Sequence, residues 1–130
     1  MWLDVPDGGA SLADRVASGA DVRFLLGDPE SPATAERERV EASPLTLSTR
    51  IAITQAEIGK LPAPPEVRLT DRHLALSVWV FDDDLIVATH IGALLGQESV
   101  TMYLRRRQTG GAFDRYCEHF VTLWEDARPG

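Results

Sequence analysis

At 130 residues, 44% of them hydrophobic and 25% charged, the chain has the size and make-up of one globular domain, residues 1–130. Folding at that length buries roughly two-thirds of the surface the unfolded chain exposes. With 13 basic against 20 acidic residues the net charge is −7, which argues against direct nucleic-acid binding, since that rests on phosphate neutralisation, and against an anionic membrane surface. The single cysteine, Cys117, excludes an internal disulfide and a cysteine-rich zinc cluster and makes the cytoplasm the expected compartment.

Trp2–Val5 has the pattern of a short strand, and no basic, apolar leader accompanies Met1, so neither a signal peptide nor a membrane span is expected. Ser11 is placed to cap a helix through Val16, with Gly19 as its stop. Asp21–Leu26 reads as a strand closed by Gly27-Asp28-Pro29. Ser31-Pro32 is a helix start, serine as cap and proline at the first helical position, and Ala33–Glu41 is a charged, exposed segment. Ser43-Pro44 repeats the start signal, Leu47, Ile51, Gln55 and Ile58 follow near helical spacing, and Gly59 marks the end. Leu61–Pro65 is a stiff connector and Glu66–Leu69 another strand.

The most telling stretch is Leu74–His90, two apolar runs around Asp82-Asp83-Asp84. The first run is apolar on both faces, which predicts a strand inside a sheet covered on both sides. The second ends in Thr89-His90, polar residues where a buried strand emerges, which is where α/β folds keep their sites. Val100–Leu104 is a further strand. Phe113, Tyr116, Cys117, Phe120, Val121 and Trp124 then make one apolar stripe of a last helix, with Asp114, Arg115, Glu118, Glu125 and Asp126 largely opposite. The order predicts an α/β (α+β) fold, a mixed β-sheet flanked by helices on both faces.

Several segments resemble one family in order along nearly the whole chain: Val22–Ala33, Val67-Arg-Leu, Phe81-Asp-Asp-Asp-Leu-Ile-Val, Thr89-His-Ile-Gly92, Tyr103-Leu-Arg-Arg and Phe113-Asp-Arg-Tyr with Phe120 and Trp124. The chain resembles the C-terminal effector domain of actinobacterial XRE-type helix-turn-helix transcriptional regulators, here without the helix-turn-helix. The resemblance implies a phospholipase D-like half. The phospholipase D signature, His-x-Lys-x4-Asp, is not kept: with Asp82 or Asp83 as its aspartate, Ala75 or Leu76 stands at the histidine position and Ser77 or Val78 at the lysine position. The resemblance therefore implies an inherited fold without that chemistry. No Gly-x-Ser-x-Gly, His-Glu-x-x-His, Walker loop or Gly-x-Gly-x-x-Gly occurs.

Four residues are the candidate ligand-binding set: Asp28, Arg68, Thr89 and His90. His90 precedes Gly92 and titrates near neutral pH, as acid, base or ligand contact; its plain alternative is a strand-end histidine bonded to a carbonyl. Asp28 either faces that crevice or is a turn aspartate accepting backbone N–H groups. Arg23 and Arg68 interrupt apolar strands and must meet a carboxylate, a ligand or solvent. Asp82-Asp83-Asp84 reads as a hairpin turn ahead of a cation site, and Arg105-Arg106-Arg107 as a solvated strand end ahead of a phosphate clamp. His73 is expected to face solvent, Trp79 to pack in the core and Cys117 to be buried and inert.

The expectation is therefore a non-catalytic ligand-sensing or dimerisation domain acting through a DNA-binding module outside this chain. It would be a homodimer binding a small molecule, with no cofactor, no metal and no catalytic residue. The alternative is a small enzyme on a repurposed scaffold, with His90 as acid or base and Asp28 orienting it.

Overall fold

A computed structural model describes residues 22–95 and 98–130; the expected strand at Trp2–Val5 and helix after Ser11 lie outside them. In chain order the elements are β1 (Arg23–Gly27), α1 (Pro32–Glu41), α2 (Leu47–Gly59), β2 (Glu66–Thr70), β3 (Leu76–Phe81), β4 (Asp84–Thr89), β5 (Val100–Arg105), α3 (Ala112–Asp126) and β6 (Arg128–Pro129). Class and helices follow the sequence; the single sheet is corrected. The described strands form two three-stranded sheets, a mixed one in the order β1-β2-β6 and an antiparallel one in the order β3-β4-β5. The reason lies in the connections. β1 and β2 are joined through two helices and so pair parallel, Arg23 opposite Glu66 and Gly27 opposite Thr70. β3, β4 and β5 follow one another closely and close a local meander instead.

Helix α1 owes little to an apolar face. Ser31 caps it by accepting from Thr34 N at 3.2 Å, Pro32 opens it, and Ala42 in a left-handed conformation (φ 50°) closes it. Its charged run is not simply solvated: Thr34 is buried, and Arg37 and Glu41 turn inward. For α2 the predicted start at Ser43-Pro44 is displaced. Thr46 is the cap, accepting from Thr49 N at 3.4 Å, because the Glu38 carboxylate takes Ser48 N at 2.6 Å and fixes the first turn there. A negative group at a helix start is favourable, and these Ser48 contacts hold the Glu38 carboxyl below its usual range. Ile51 and Ile58 on α2 and Leu69 on β2 are buried. At the end of β1 a Cβ on Gly27 would lie 3.3 Å from Thr34 Oγ1 and 3.5 Å from Ile51 Cδ1, so the glycine permits both helices to close on the strand.

In the antiparallel sheet the buried strand is β4, not β3. β3 lies at an edge with its residues only partly covered, whereas β4 sits between two partners, and its Leu85 and Val87 are both at 0% exposure. Leu85 and Val87 pack with Phe113 of α3, surrounded by Leu76, Val78, Leu104, Tyr116 and Cys117. The turn is tighter than three aspartates: Phe81 pairs with Asp84, leaving Asp82, in left-handed conformation, and Asp83 as a two-residue loop.

Helix α3 serves both sheets. Gly111 opens it, and Asp114 reaches back to accept Gly110 N at 2.7 Å and Arg106 Nε at 3.0 Å, which keeps its carboxyl below the ordinary range. Phe113 lies under the antiparallel sheet. At the other end the buried Trp124 stacks on Phe120, with the guanidinium of Arg68 4.5 Å and that of Arg23 5.7 Å from its ring centre. The predicted stripe shifts by one face at its end, where Leu123 is buried and Val121 exposed, because 3.6 residues per turn carries the contact line around the helix. The strand β6, unsignalled in the sequence, pairs Arg128 with Leu69 and Pro129 with Arg68. Among the described residues no helix is long and apolar enough to cross a membrane.

Candidate functional site

The four predicted residues divide between the two sheets. Asp28 ends β1. Its carboxylate accepts Glu30 N at 3.0 Å, the turn role, and pairs with Arg128 Nε at 2.8 Å; the guanidinium first, then the Glu30 amide, hold its pKa below the ordinary carboxylate value. Arg68 finds its carboxylate in Glu66 at 2.9 Å, donates to the Trp124 carbonyl at 2.9 Å, and lies over that indole. Both side chains thus tie together the mixed sheet, β6 and α3. Thr89 and His90 end β4 in the other sheet. They are neighbours in sequence, so the alternation of a strand sends them to opposite faces: Thr89 shares the face of Leu85 and Val87, His90 that of Ala88 and Ser77. No hydrogen bond or ion pair joins Asp28 to His90.

What surrounds His90 is a charged cluster that the sequence reading passed over. Arg37 and Glu41 stand four apart on α1 and pair at 2.8 Å with side-chain exposures of 11% and 6%. Glu41 also bonds Arg50 of α2, so one buried carboxylate bridges two guanidiniums. Arg37 spends its remaining nitrogens on the Gly92 carbonyl at 2.6 Å and the Leu94 carbonyl at 2.7 Å, clasping the connection after β4 to α1. Gly92 adopts φ 56°, the left-handed region where glycine is favoured. His90 N donates to the Ala75 carbonyl at 2.9 Å, and its Nε2 lies 2.8 Å from Ser77 Oγ. Two side-chain nitrogens in this region, Arg50 Nε and His90 Nδ1, are buried with no hydrogen-bond partner. The arginine N–H can only donate. If Ser77 donates to Nε2, the His90 Nδ1 proton is a second unmet donor.

A signal for this cluster existed. Thr34, Arg37 and Glu41 fall at i, i+3 and i+7, one face of α1, and that face carries the buried threonine. A two-residue hairpin turn likewise places Ser77 diagonally across from His90 on one face. The aspartate turn, the arginine run and His73 take their plain readings, whereas Trp79 and Cys117, expected in the core, are only partly buried. Arg106 pairs with Asp114, His73 is exposed, and Asp84 accepts the Tyr103 hydroxyl. The Cys117 thiol is half-buried, its pKa pushed up first by burial and then by Asp114. Among the described residues no group of three or more His, Cys, Asp and Glu is arranged to hold a metal ion.

Burial is the first cause that lowers the His90 pKa below its ordinary value; Arg37 adds to it and Glu41 opposes it, with smaller contributions from His73 and Arg50. The ring is therefore neutral at pH 7. The unfolded chain takes up this proton more readily, so the associated stability is complete above the ordinary histidine value. It is lost as pH falls from there toward the lower folded value. We expect the urea stability of His90→Gln to fall less than that of the wild type between about pH 7 and pH 5. Parallel curves for the two proteins would contradict this assignment.

No protein-family model, curated protein or solved structure matches the chain significantly.

Proposed function

We propose that this chain is a non-catalytic sensor domain that binds a small anionic ligand at the His90 end of β4, works as a homodimer in the cytoplasm, and passes its state to a DNA-binding module. The observation that carries the reading is the pair of unmet nitrogens, Arg50 Nε and His90 Nδ1, in a cluster where two guanidiniums share one carboxylate. A buried donor without an acceptor is costly; a carboxylate or phosphate oxygen supplies what Arg50 Nε lacks and, with Ser77 donating to Nε2, what the His90 Nδ1 proton lacks. The sequence resemblance to effector domains of helix-turn-helix regulators, and with it a degenerate phospholipase D-like ancestry, supports the sensor role. Asp28 and Arg68 act in this reading as braces of the mixed sheet.

The test is native mass spectrometry of the protein isolated from its own cells, followed by calorimetric titration with acetate and with inorganic phosphate. An anionic adduct, and probe binding that Arg50→Lys and His90→Ala each weaken about tenfold or more, is the expected result; lysine keeps the charge but removes the Nε donor. Binding indifferent to both substitutions would sink the proposal.

One observation favours a second reading, a small enzyme. Ser77 Oγ and His90 Nε2 stand at the separation of a nucleophile and its base. His90 Nδ1 has no carboxylate to orient it, and Asp28 is committed to Arg128, so binding ranks ahead of catalysis. Turnover of p-nitrophenyl acetate that Ser77→Ala abolishes would reverse the ranking.

A further inference from the structure

Three large apolar side chains are exposed along one strand of the antiparallel sheet: Val100 at 58%, Met102 at 45% and Tyr103 at 62%, all on β5. β5 is an edge strand, paired with β4 on one side and, among the described residues, with no strand on the other. Natural sheets guard such an edge with proline, a bulge or a central charge. The segment Val-Thr-Met-Tyr-Leu-Arg has none of these before its terminal Arg105.

The direction of its backbone groups follows from one hydrogen bond. Arg106 N donates to the Asp83 carbonyl at 2.8 Å, in the same register that sets Asp84 opposite Arg105. N–H and C=O groups of successive strand residues alternate in direction. Val100, Met102 and Leu104 therefore bond β4, and Thr101, Tyr103 and Arg105 turn their peptide groups outward.

We infer that this edge is the docking site of a second copy of the chain, the two β5 strands pairing antiparallel about a two-fold axis at Met102 to make one six-stranded sheet. The register is the one that satisfies the sequence. With the axis at Met102, Thr101 faces Tyr103 of the partner subunit and their outward peptide groups complete the ladder. Met102 then faces its own copy and Val100 faces Leu104 of the partner subunit, apolar on apolar, in the closer non-hydrogen-bonded positions. Moving the axis to Tyr103 sets Val100 against Arg106 of the partner subunit instead, a polar partner for an apolar side chain.

This rests on the homodimer part of the reading above and on nothing about the ligand, so a monomer would overturn that part and leave ligand binding at the His90 end of β4 standing. The experiment is sedimentation equilibrium of the full chain, wild type against Met102→Lys, with circular dichroism to confirm that the variant folds. A dimer that the paired lysines weaken about tenfold or more is expected, since like charges juxtaposed in an interface are strongly unfavourable. A Met102→Cys variant in a Cys117→Ser background fixes the register: under diamide it should cross-link to itself faster than Tyr103→Cys in the same background, as its Cα atoms stand closer across the axis. A monomeric wild type, a dimer untouched by Met102→Lys, or faster cross-linking at position 103 would each overturn the inference.

Discussion

Replacing Glu41 with alanine should cost about 3 kcal/mol of folding stability, because it strips the one carboxylate from between two guanidiniums. Glu41 is 6% exposed and Arg37 11%, so neither water nor another acid compensates Arg37 fully; Arg50, at 30%, is better hydrated, which places the expected loss at the low end for a broken buried pair. The loss has a geometric part too, since Arg37 loses its anchor while it still holds the Gly92 and Leu94 carbonyls. Replacing all three residues by apolar ones (Arg37→Met, Glu41→Leu, Arg50→Met) should be milder than the single Glu41→Ala change, as no charge is then stranded. Urea denaturation is the measurement, because guanidinium salts would screen the interaction. Removing Glu41 also removes what raises the His90 pKa, so an NMR titration should find His90 ionising at still lower pH in the variant. A Glu41→Ala protein within ~1 kcal/mol of wild type would mean that the cluster behaves like a surface ion pair.

Trp124→Ala should be the second severe change, costing about 3–5 kcal/mol. The indole is 6% exposed, stacks on Phe120, and lies beneath the guanidiniums of Arg68 and Arg23. Trp124→Leu separates the contributions: it keeps much of the apolar contact and loses the ring face, so it should retain most of the stability and fall short by about 1 kcal/mol for the cation–π component. Equal losses in the two variants would assign the whole effect to the ring. Val121, on the same helix and exposed, serves as the control position, where alanine should be close to neutral.

These two sites show which parts of the fold the sequence could disclose. The α3 stripe, the Ser31-Pro32 start and the apolar hairpin are local patterns, and each element is found where its pattern lies. The partition into two sheets is not local. β3 carries apolar residues on both faces and so reads as central, yet β4 is the strand placed between two partners. β6 is two residues long with a proline, and only its register against β2 makes it a strand. The site was half legible for a related reason. His90 stood out as an ionisable group at a strand end. Arg37 and Glu41, within the charged run of α1, looked like any solvated face, because composition alone does not say which turn of a polar helix is covered. Asp28 drew notice as a carboxylate at a strand end and Arg68 as a charge within an apolar strand, and their answers were Arg128 and Glu66.

The position of α3 has a consequence for the order in which the molecule assembles. Strands β3, β4 and β5 are consecutive, so their meander can form from contacts close in sequence, the kind that forms quickly. The mixed sheet instead joins β1 to a strand two helices later and takes its third strand from Arg128–Pro129, beyond α3. During synthesis, therefore, the meander can close while the other sheet still lacks its edge and the Trp124 anchor. A ribosome stalled before α3 should carry a chain with a nascent hairpin sheet and an unfinished parallel pair, and α3 is the segment whose arrival turns two partial structures into one cooperative unit.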